Sequence, residues 1–482
     1  MGRVNPLLAG LWLCAASLFF YGWWNASFVG LLLVSVIFNF CAGYLISCQI
    51  RRTADNYGRT LLVFAIAANL LLLAYFKYAG FLSGVGTDIL GEGYLNLGNP
   101  FLPLGISFFT FTQIAFLVDT YQGKVTDINC IQYTLFVTYF PHLIAGPIMH
   151  HSQIMPQFAE RWIYRVDWLN MSVGLTIFVI GLAKKIFIAD RFGTIATPIF
   201  VSAQYGAEPM LIQAWAGVLA YTLQLYFDFS GYSDMAIGLS LFLNVKLPLN
   251  FNSPYKATSI IDFWRRWHMT LSAFLRDYLY IPLGGNRKGK VRRYLNLFAT
   301  MLLGGLWHGA GWTFIVWGGL HGIYLIINHG FRALCSRWGW RGRFGRAGQL
   351  AAAAMTFLSV VIAWVFFRAD SFATAGVILH GMAGGAGLWH AGSFAAAGLS
   401  GRSVVAWVVI GLAVVWLLPN TQEFMRAFHP AYEGVAQPRG LAARLIWQPA
   451  RWWTWSSVGI LLTLAILAMS PVRVSEFLYY QF

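Results

Sequence analysis

The 482-residue sequence predicts an all-α polytopic membrane protein, and three observations predict it. Hydrophobic residues make up 58% of the chain and charged residues only 10%, where a soluble domain carries roughly 25% charged residues. Mean hydropathy is +0.61. The apolar residues also fall into long stretches separated by short polar or basic segments. Lipid is therefore the solvent for most of the surface. In lipid every backbone polar group must be satisfied within the protein, and apolar runs of ~20 residues achieve this as helices. The length is read as one bundle of about ten spans, with a range of about nine to twelve crossings.

Taken in order, apolar stretches run at 7–24, 27–48, 60–80, 101–118, 131–148, 169–190, 210–230, 295–328, 350–367, 403–418 and 455–470. The first has no A-x-A-like cleavage site after it and reads as a retained span rather than a signal peptide. Those at 101–118 and 131–148 contain Pro103, Pro141 and Pro147, which predicts re-entrant or broken helices. The Gly- and Ala-rich stretch 383–402 reads as a loop. Trp and Tyr are abundant and scattered, which suits anchoring at the membrane interface. No internal repeat is visible. The five cysteines, Cys14, Cys41, Cys48, Cys130 and Cys335, form no C-x-x-C pair and mostly lie in apolar runs, so they read as small core residues.

The charge balance is basic, with 33 Lys and Arg against 17 Asp and Glu. Arg51, Arg52 and Arg59 flank the second and third stretches, and Arg332, Arg337, Arg341, Arg343 and Arg346 form a second basic loop. Both read as cytoplasmic by the positive-inside rule. Between them lies the most basic region. From Lys246 to Arg293 ten cations face only Asp262 and Asp277. The region is either a further topological signal or a site for an anionic ligand or lipid. Nothing in it points to nucleic acid.

Several chemistries are excluded or weak. Gly284 to Val291 has the spacing of a phosphate loop, but Val291 stands where a magnesium-binding Ser or Thr is required, and Tyr278–Pro282 is a weak strand signal. His142, His150 and His151 lie close together with no neighbouring carboxylate or Cys along the chain to complete a zinc set, so no metal is expected. Asp228 and Asp234 flank a polar island. Six residues apart, they do not share a helical face and read as partners for nearby Lys and Arg. Asp88 and Glu92 are too sparse for the acidic loop of a lipid-carrier glycosyltransferase.

Three histidines carry more. His268, His308 and His321 sit in or beside apolar runs, where ionisable groups are costly and usually face a functional cavity. Glycines beside His308 and His321 would admit a substrate or a neighbouring backbone. A neutral imidazole in a dry cavity can accept the proton of a hydroxyl as it attacks an activated carbonyl. The basic region before it can hold an anionic carrier's phosphates. Acyl transfer from a phosphorylated thioester to an alcohol fits these parts, and so does an anion transporter.

The motifs are longer than these single residues. Asp228-Phe229-Ser230-Gly231-Tyr232-Ser233-Asp234, Asn250-Phe251-Asn252-Ser253-Pro254-Tyr255, Asp262-Phe263-Trp264-Arg265-Arg266-Trp267-His268, Tyr280-Ile281-Pro282-Leu283-Gly284-Gly285-Asn286, Gly305-Leu306-Trp307-His308-Gly309 and Trp317-Gly318-Gly319-Leu320-His321-Gly322 follow in order. Together they resemble the membrane-bound O-acyltransferase family, in the branch that holds the bacterial alginate O-acetyltransferase membrane subunits. The likeness runs from Ser17–Trp24 to the closing Glu476–Phe482.

The resemblance implies a single integral membrane domain over 1–482, with a catalytic core at about 100–330 and helices around a central tunnel. It implies His321 as the catalytic histidine, acting as general base or acyl carrier, and His268 as a second active-site residue. His308, Asp262, Trp264 and Arg266 are expected to support them. Acetyl-CoA is the implied donor, taken up as substrate and not held as a permanent cofactor, with its phosphates near Arg287, Lys288, Lys290, Arg292 and Arg293. The implied setting is the bacterial inner membrane. There the acetyl group would cross to a periplasmic acetyltransferase partner and the machinery of an exported polysaccharide, alginate- or cellulose-like. Two features depart from the family pattern. Only 16 residues precede the Ser17–Trp24 motif, which leaves the first helix lost, shortened or upstream of this start, and His150-His151 stand where Arg or other polar residues are expected.

Overall fold

A computed structural model describes residues 5–52, 56–91, 96–125, 127–340, 345–389, 394, 400–434, 447–448, 452–469 and 477–478. Glu92, Arg341, Arg343, parts of the 383–402 stretch and most of Glu476–Phe482 lie outside them, as do the side chains of Arg51 and Arg52. Every regular element among the described residues is helical. Among the described residues, six helical segments are long and apolar enough to cross a membrane: Pro6–Trp24, Ser27–Ile50, Tyr57–Leu90, Trp168–Gln204, Trp312–Arg337 and Arg346–Arg368. Shorter apolar helices cover Phe372–Met382, Gly401–Leu417 and Thr454–Ala468. The chain is thus an all-α polytopic membrane protein.

Two compact units divide the chain. The first comprises Met1–Phe178, Met235–Leu249 and Phe428–Gly434. It opens with α1 (Pro6–Trp24), α2 (Ser27–Arg52) and α3 (Tyr57–Leu90). Asn5 caps α1 through its side chain, with Pro6 in the first turn, the position where a missing N–H costs nothing. Polar side chains tie these helices together. Asn39 and Asn69 exchange reciprocal amide bonds of 3.0 and 2.6 Å, and Gln113 donates to Ser35 while accepting from Tyr133. Lipid exerts no hydrophobic pull between helices, so such bonds hold them together.

The proline-bearing stretches are short or broken. Helix α4 (Ile106–Tyr121) begins only after Gly105 and covers about 24 Å, less than the ~30 Å of a bilayer core. The next stretch is split into α5 (Cys130–Thr138) and α6 (Phe140–Leu143) by Tyr139, whose ψ of 111° leaves the helical region. Helix α7 (His151–Ala159) follows. α8 (Trp168–Ala183) leads through a π-helical turn, Lys184–Ala189, into α9 (Asp190–Gln204) and then α10 (Leu211–Phe242).

The second unit comprises Val179–Asp234, Asn250–Ala427 and Val435–Phe482. It adds α11 (Ile260–Trp264), α12 (Met269–Leu275), α13 (Gly289–His308), α14 (Trp312–Arg337), α15 (Arg346–Arg368), α16 (Phe372–Met382), α17 (Gly401–Leu417), α18 (Thr421–Phe424) and α19 (Trp452–Ala468). The carboxylates of α10 are paired. Lys184 meets Asp234 at 2.6 Å, and Lys185 meets Asp228 at 2.7 Å and Asp190 at 2.9 Å. Thr421 and Gln422 also donate to Asp234, and the Leu478 amide to Asp228. The apolar run 295–328 is not one helix. It turns through extended Gly309 and Gly311 and becomes the hairpin of α13 and α14.

Candidate active site

The α13/α14 hairpin positions two of the three histidines. Its helices touch backbone to backbone at Gly305 and Gly318. A Cβ on Gly305 would lie 2.3 Å from the Phe314 carbonyl oxygen, and one on Gly318 would lie 2.3 Å from that of Met301. Gly305 and Gly318 therefore admit a partner backbone, one of the two roles the sequence left open for the glycines near these histidines. His308 is the last residue of α13. At 1.5 Å per residue, His321 lies about 13 Å from the Trp312 end of α14 and about 24 Å from Arg337. The basic segment Arg287–Arg293 starts α13, so it shares that far end with Arg332 and Arg337.

His321 is fully buried. Phe263 stacks parallel to its ring at 6.0 Å, and Trp264, Trp317 and Tyr324 meet it edge-on at 5.1, 4.9 and 5.8 Å. Trp364 lies 6.2 Å away. The Trp264 indole N–H donates to His321 Nδ1 at 3.2 Å. His308, also buried, donates from Nδ1 to the Gly304 carbonyl at 2.6 Å and packs edge-on against Trp317 at 4.8 Å.

His268 caps α12 in the left-handed conformation, at φ 43°. That conformation costs a residue bearing a Cβ roughly 1–2 kcal/mol and persists only where the surroundings over-determine it. Here the Asn250–Asn252 motif does so. Asn252 N donates to Arg266 O, Met269 N donates to Asn250 O, and Thr270 Oγ1 donates to Asn250 Oδ1. The His268 ring is buried, perpendicular to Phe229 at 4.9 Å and 6.5 Å from His308. His268, His308, Trp317 and His321 thus form a continuous string of rings.

The other expected residues sit differently. Asp262 and Arg266 pair with each other at 3.0 Å, each about one-third exposed, and Arg266 also donates to the Asn252 carbonyl. Arg287, Lys288, Lys290 and Arg292 are exposed, whereas Arg293 is half-buried against Tyr294 and His329. Before them, Arg276–Tyr280 forms a π-helical turn, so the weak strand signal is not realised. The His150-His151 pair does have a carboxylate. Asp119 approaches His151 at 3.1 Å and His150 at 3.8 Å, and Lys124 shares it. It lies 32 residues from His151, beyond a search along the chain. Trp317 and Trp364 also line the cage, although an indole in a membrane protein points first to interface anchoring. Trp317 had a signal, because it precedes His321 by four residues on one helix and so shares its face.

The arrangement is a buried aromatic cage around imidazoles, with a cationic rim at one end of the same hairpin. The sequence profile of the membrane-bound O-acyltransferase family matches residues 18–381, which include all of this site. The chain is 44% identical to a peptidoglycan O-acetyltransferase of Helicobacter pylori, over 80% of this chain and 76% of that one. It is 39% identical to a probable alginate O-acetylase of Pseudomonas putida, over 98% of this chain and 94% of that one. A teichoic acid D-alanyltransferase of Streptococcus thermophilus is 30% identical over 47% of this chain and 56% of its own length.

Proposed function

The chain belongs to the membrane-bound O-acyltransferase family, and from that premise we propose that it takes acetyl from cytoplasmic acetyl-CoA and passes it across the inner membrane for O-acetylation of an exported polysaccharide. It is an O-acyltransferase of the membrane, and anion transport is set aside as its activity. The acetyl group is favoured because the relatives matched over most of their length are named for O-acetylation. Those names also make an envelope or exported polymer, alginate- or peptidoglycan-like, the acceptor class.

The observation that carries the reading is His321, buried in an aromatic cage and held through Nδ1 by Trp264. Exclusion of water keeps a thioester from hydrolysis and strengthens each hydrogen bond to it. His268 and His308 continue the polar string and complete the proposed site. The rim Arg287, Lys288, Lys290, Arg292 and Arg293 would hold the CoA phosphates. It surrounds the N-terminus of α13, where the helix dipole also favours anions. By the positive-inside rule this end faces the cytoplasm. From there the acetyl thioester would reach inward along the hairpin toward His321. A periplasmic acetyltransferase would receive the group on the other side.

His321→Ala should lower acetyl transfer by at least about 10²-fold, the usual contribution of one proton-transfer group or one carbonyl-binding donor. The assay is release of free CoA from acetyl-CoA by purified protein, with and without a hydroxyl acceptor, beside polymer acetylation in cells. Wild-type turnover in a folded His321→Ala protein would sink the assignment.

A further inference from the structure

Four residues other than glycine have positive φ among the described residues, and two of them, Ser253 at 49° and His268 at 43°, lie in the second unit. Each carries a Cβ in the left-handed region, so each needs its surroundings to hold it there. The two are joined. Asn252, just before Ser253, donates its backbone N–H to the Arg266 carbonyl at 2.9 Å and accepts from the Arg266 guanidinium at 3.3 Å. Asn250 brackets His268 from the other end. Its carbonyl takes the Met269 N–H, and its side-chain oxygen takes the Thr270 hydroxyl at 2.6 Å. The strap Asn250–Lys256 is thus the support on which the His268 turn rests. What holds the strap comes from 161 to 168 residues further along the chain. At the end of α17 the Trp416 indole N–H donates to the Tyr255 carbonyl at 3.2 Å, and Lys256 donates to the Leu418 carbonyl at 2.8 Å. Asn420 Nδ2 donates to Ser253 Oγ at 2.9 Å and to Asn252 Oδ1 at 3.2 Å. The orientation of this amide follows from its other atom, because Oδ1 accepts the Glu423 N–H at 2.8 Å and caps α18. Thr421 and Gln422 fix the same turn to α10 through Asp234.

We propose that Asn420 is a positioning residue of the acyl-transfer site: its side-chain amide locks Asn252 and Ser253, and through Arg266 it holds the His268 turn in place. This rests on the acyl-transfer reading above, which makes His268 part of the site. Asn420 lies beyond residue 381, where the match to the family profile ends. Of the three grips on the strap, only the Asn420 amide reaches both Ser253, which bears the unfavourable φ, and Asn252, which meets Arg266. Without it, Ser253 can relax toward the extended region that a Cβ prefers. Asn252 moves with Ser253, and the bonds from Asn252 to Arg266 that keep His268 at positive φ weaken. Arg266 is a link in this chain of contacts as well as the partner of Asp262. The amide therefore has two separable duties, an oxygen that caps α18 and an N–H group that holds the strap. Asn420 also borders a cavity of about 360 Å³ beside Ser253, Leu418 and Pro419, so a smaller side chain there leaves the surrounding packing in place.

Asn420→Ser separates the two duties. Serine caps a helix about as well as asparagine, but it has no amide to reach the strap. The full chain in detergent is labelled with nitrogen-15 histidine, and the His268 ring signals are assigned through His268→Gln. In Asn420→Ser these signals should shift, while the melting temperature stays close to that of the parent. In the CoA-release assay kcat should fall at least about tenfold with KM for acetyl-CoA unchanged, because a displacement of about 1 Å at a reacting site can cost about 10²-fold in rate. Asn252→Ala approaches the same contact from the strap and should shift the same signals, which keeps the proposal open to refutation if Asn420→Ser does not fold. The double variant should be no slower than Asn420→Ser alone, since the contact is already gone. Unmoved His268 signals in either folded variant, an unchanged kcat in Asn420→Ser, or losses that simply add in the double variant would overturn the proposal. Wild-type protein that releases no CoA, while the His268 signals shift in Asn420→Ser, would defeat the acetyl-donor reading and uphold the positioning.

Discussion

Alanine at position 318 tests whether the hairpin contact sets the geometry of the cage. The Cβ of Gly318→Ala would lie 2.3 Å from the Met301 carbonyl oxygen and 3.1 Å from the Gly305 Cα, both backbone atoms that cannot swing aside. Ordinary contact begins at 3.4 Å, so α13 and α14 must part by about 1 Å. Overpacking of this kind typically costs 1–3 kcal/mol. His321 is less than one turn further along α14, and a 1 Å displacement of a reacting group can cost about 10²-fold in rate. The adjacent glycine is the control. A Cβ on Gly319 would first meet a Leu302 methyl at 3.5 Å, an ordinary contact, and alanine gains up to ~1 kcal/mol over glycine in a helix. Thermal unfolding in detergent and CoA release should therefore separate the two variants. Gly318→Ala should melt lower and lose activity, while Gly319→Ala should melt no lower than the parent. Equal melting and equal turnover in the two variants would refute the close-contact reasoning.

The paired charges of α10 and the π-helical turn give a further prediction. Lys185→Met leaves Asp228, whose side chain is 1% exposed, without its cation. It should destabilise the protein by about 3–5 kcal/mol, whereas Lys185→Met with Asp228→Leu should recover most of the loss. An unchanged melting temperature in the single variant would contradict the pairing. At the basic rim, the triple variant Arg287→Gln, Lys288→Gln, Lys290→Gln should raise KM for acetyl-CoA roughly tenfold with kcat little changed, an effect that shrinks in high salt. A fall in kcat at constant KM would move the rim out of donor binding.

Particular elements show how far local pattern reaches. The proline-bearing stretches at 101–118 and 131–148 were legible as short or broken helices, because proline and the residues around it constrain their own backbone. The α13/α14 hairpin was not legible, since hydropathy sums over a window and Gly309-Ala310-Gly311 hardly lowers the sum. The pairing of Asp228 and Asp234 with lysines was anticipated as a class of contact, but its partners Lys184 and Lys185 lie on another helix. The carboxylate beside His150 and His151 escaped for the same reason. Trp317 was hidden by its type, since an indole in a membrane protein is more often an anchor than part of a site.

What the sequence determined by itself is the solvent, the element type and the family. Apolar composition selects lipid, lipid demands internally bonded backbone, and runs of some twenty residues meet that demand as helices. The ordered motifs carry the family without coordinates. What only the tertiary structure decided is which group meets Nδ1 of His321 and which meets Nδ1 of His308. That depends on a hydrogen bond between Trp264 and His321, 57 residues apart, and on a carbonyl one turn before His308. Which group meets a ring nitrogen is fixed by packing between distant segments, and composition and spacing carry no record of that contact.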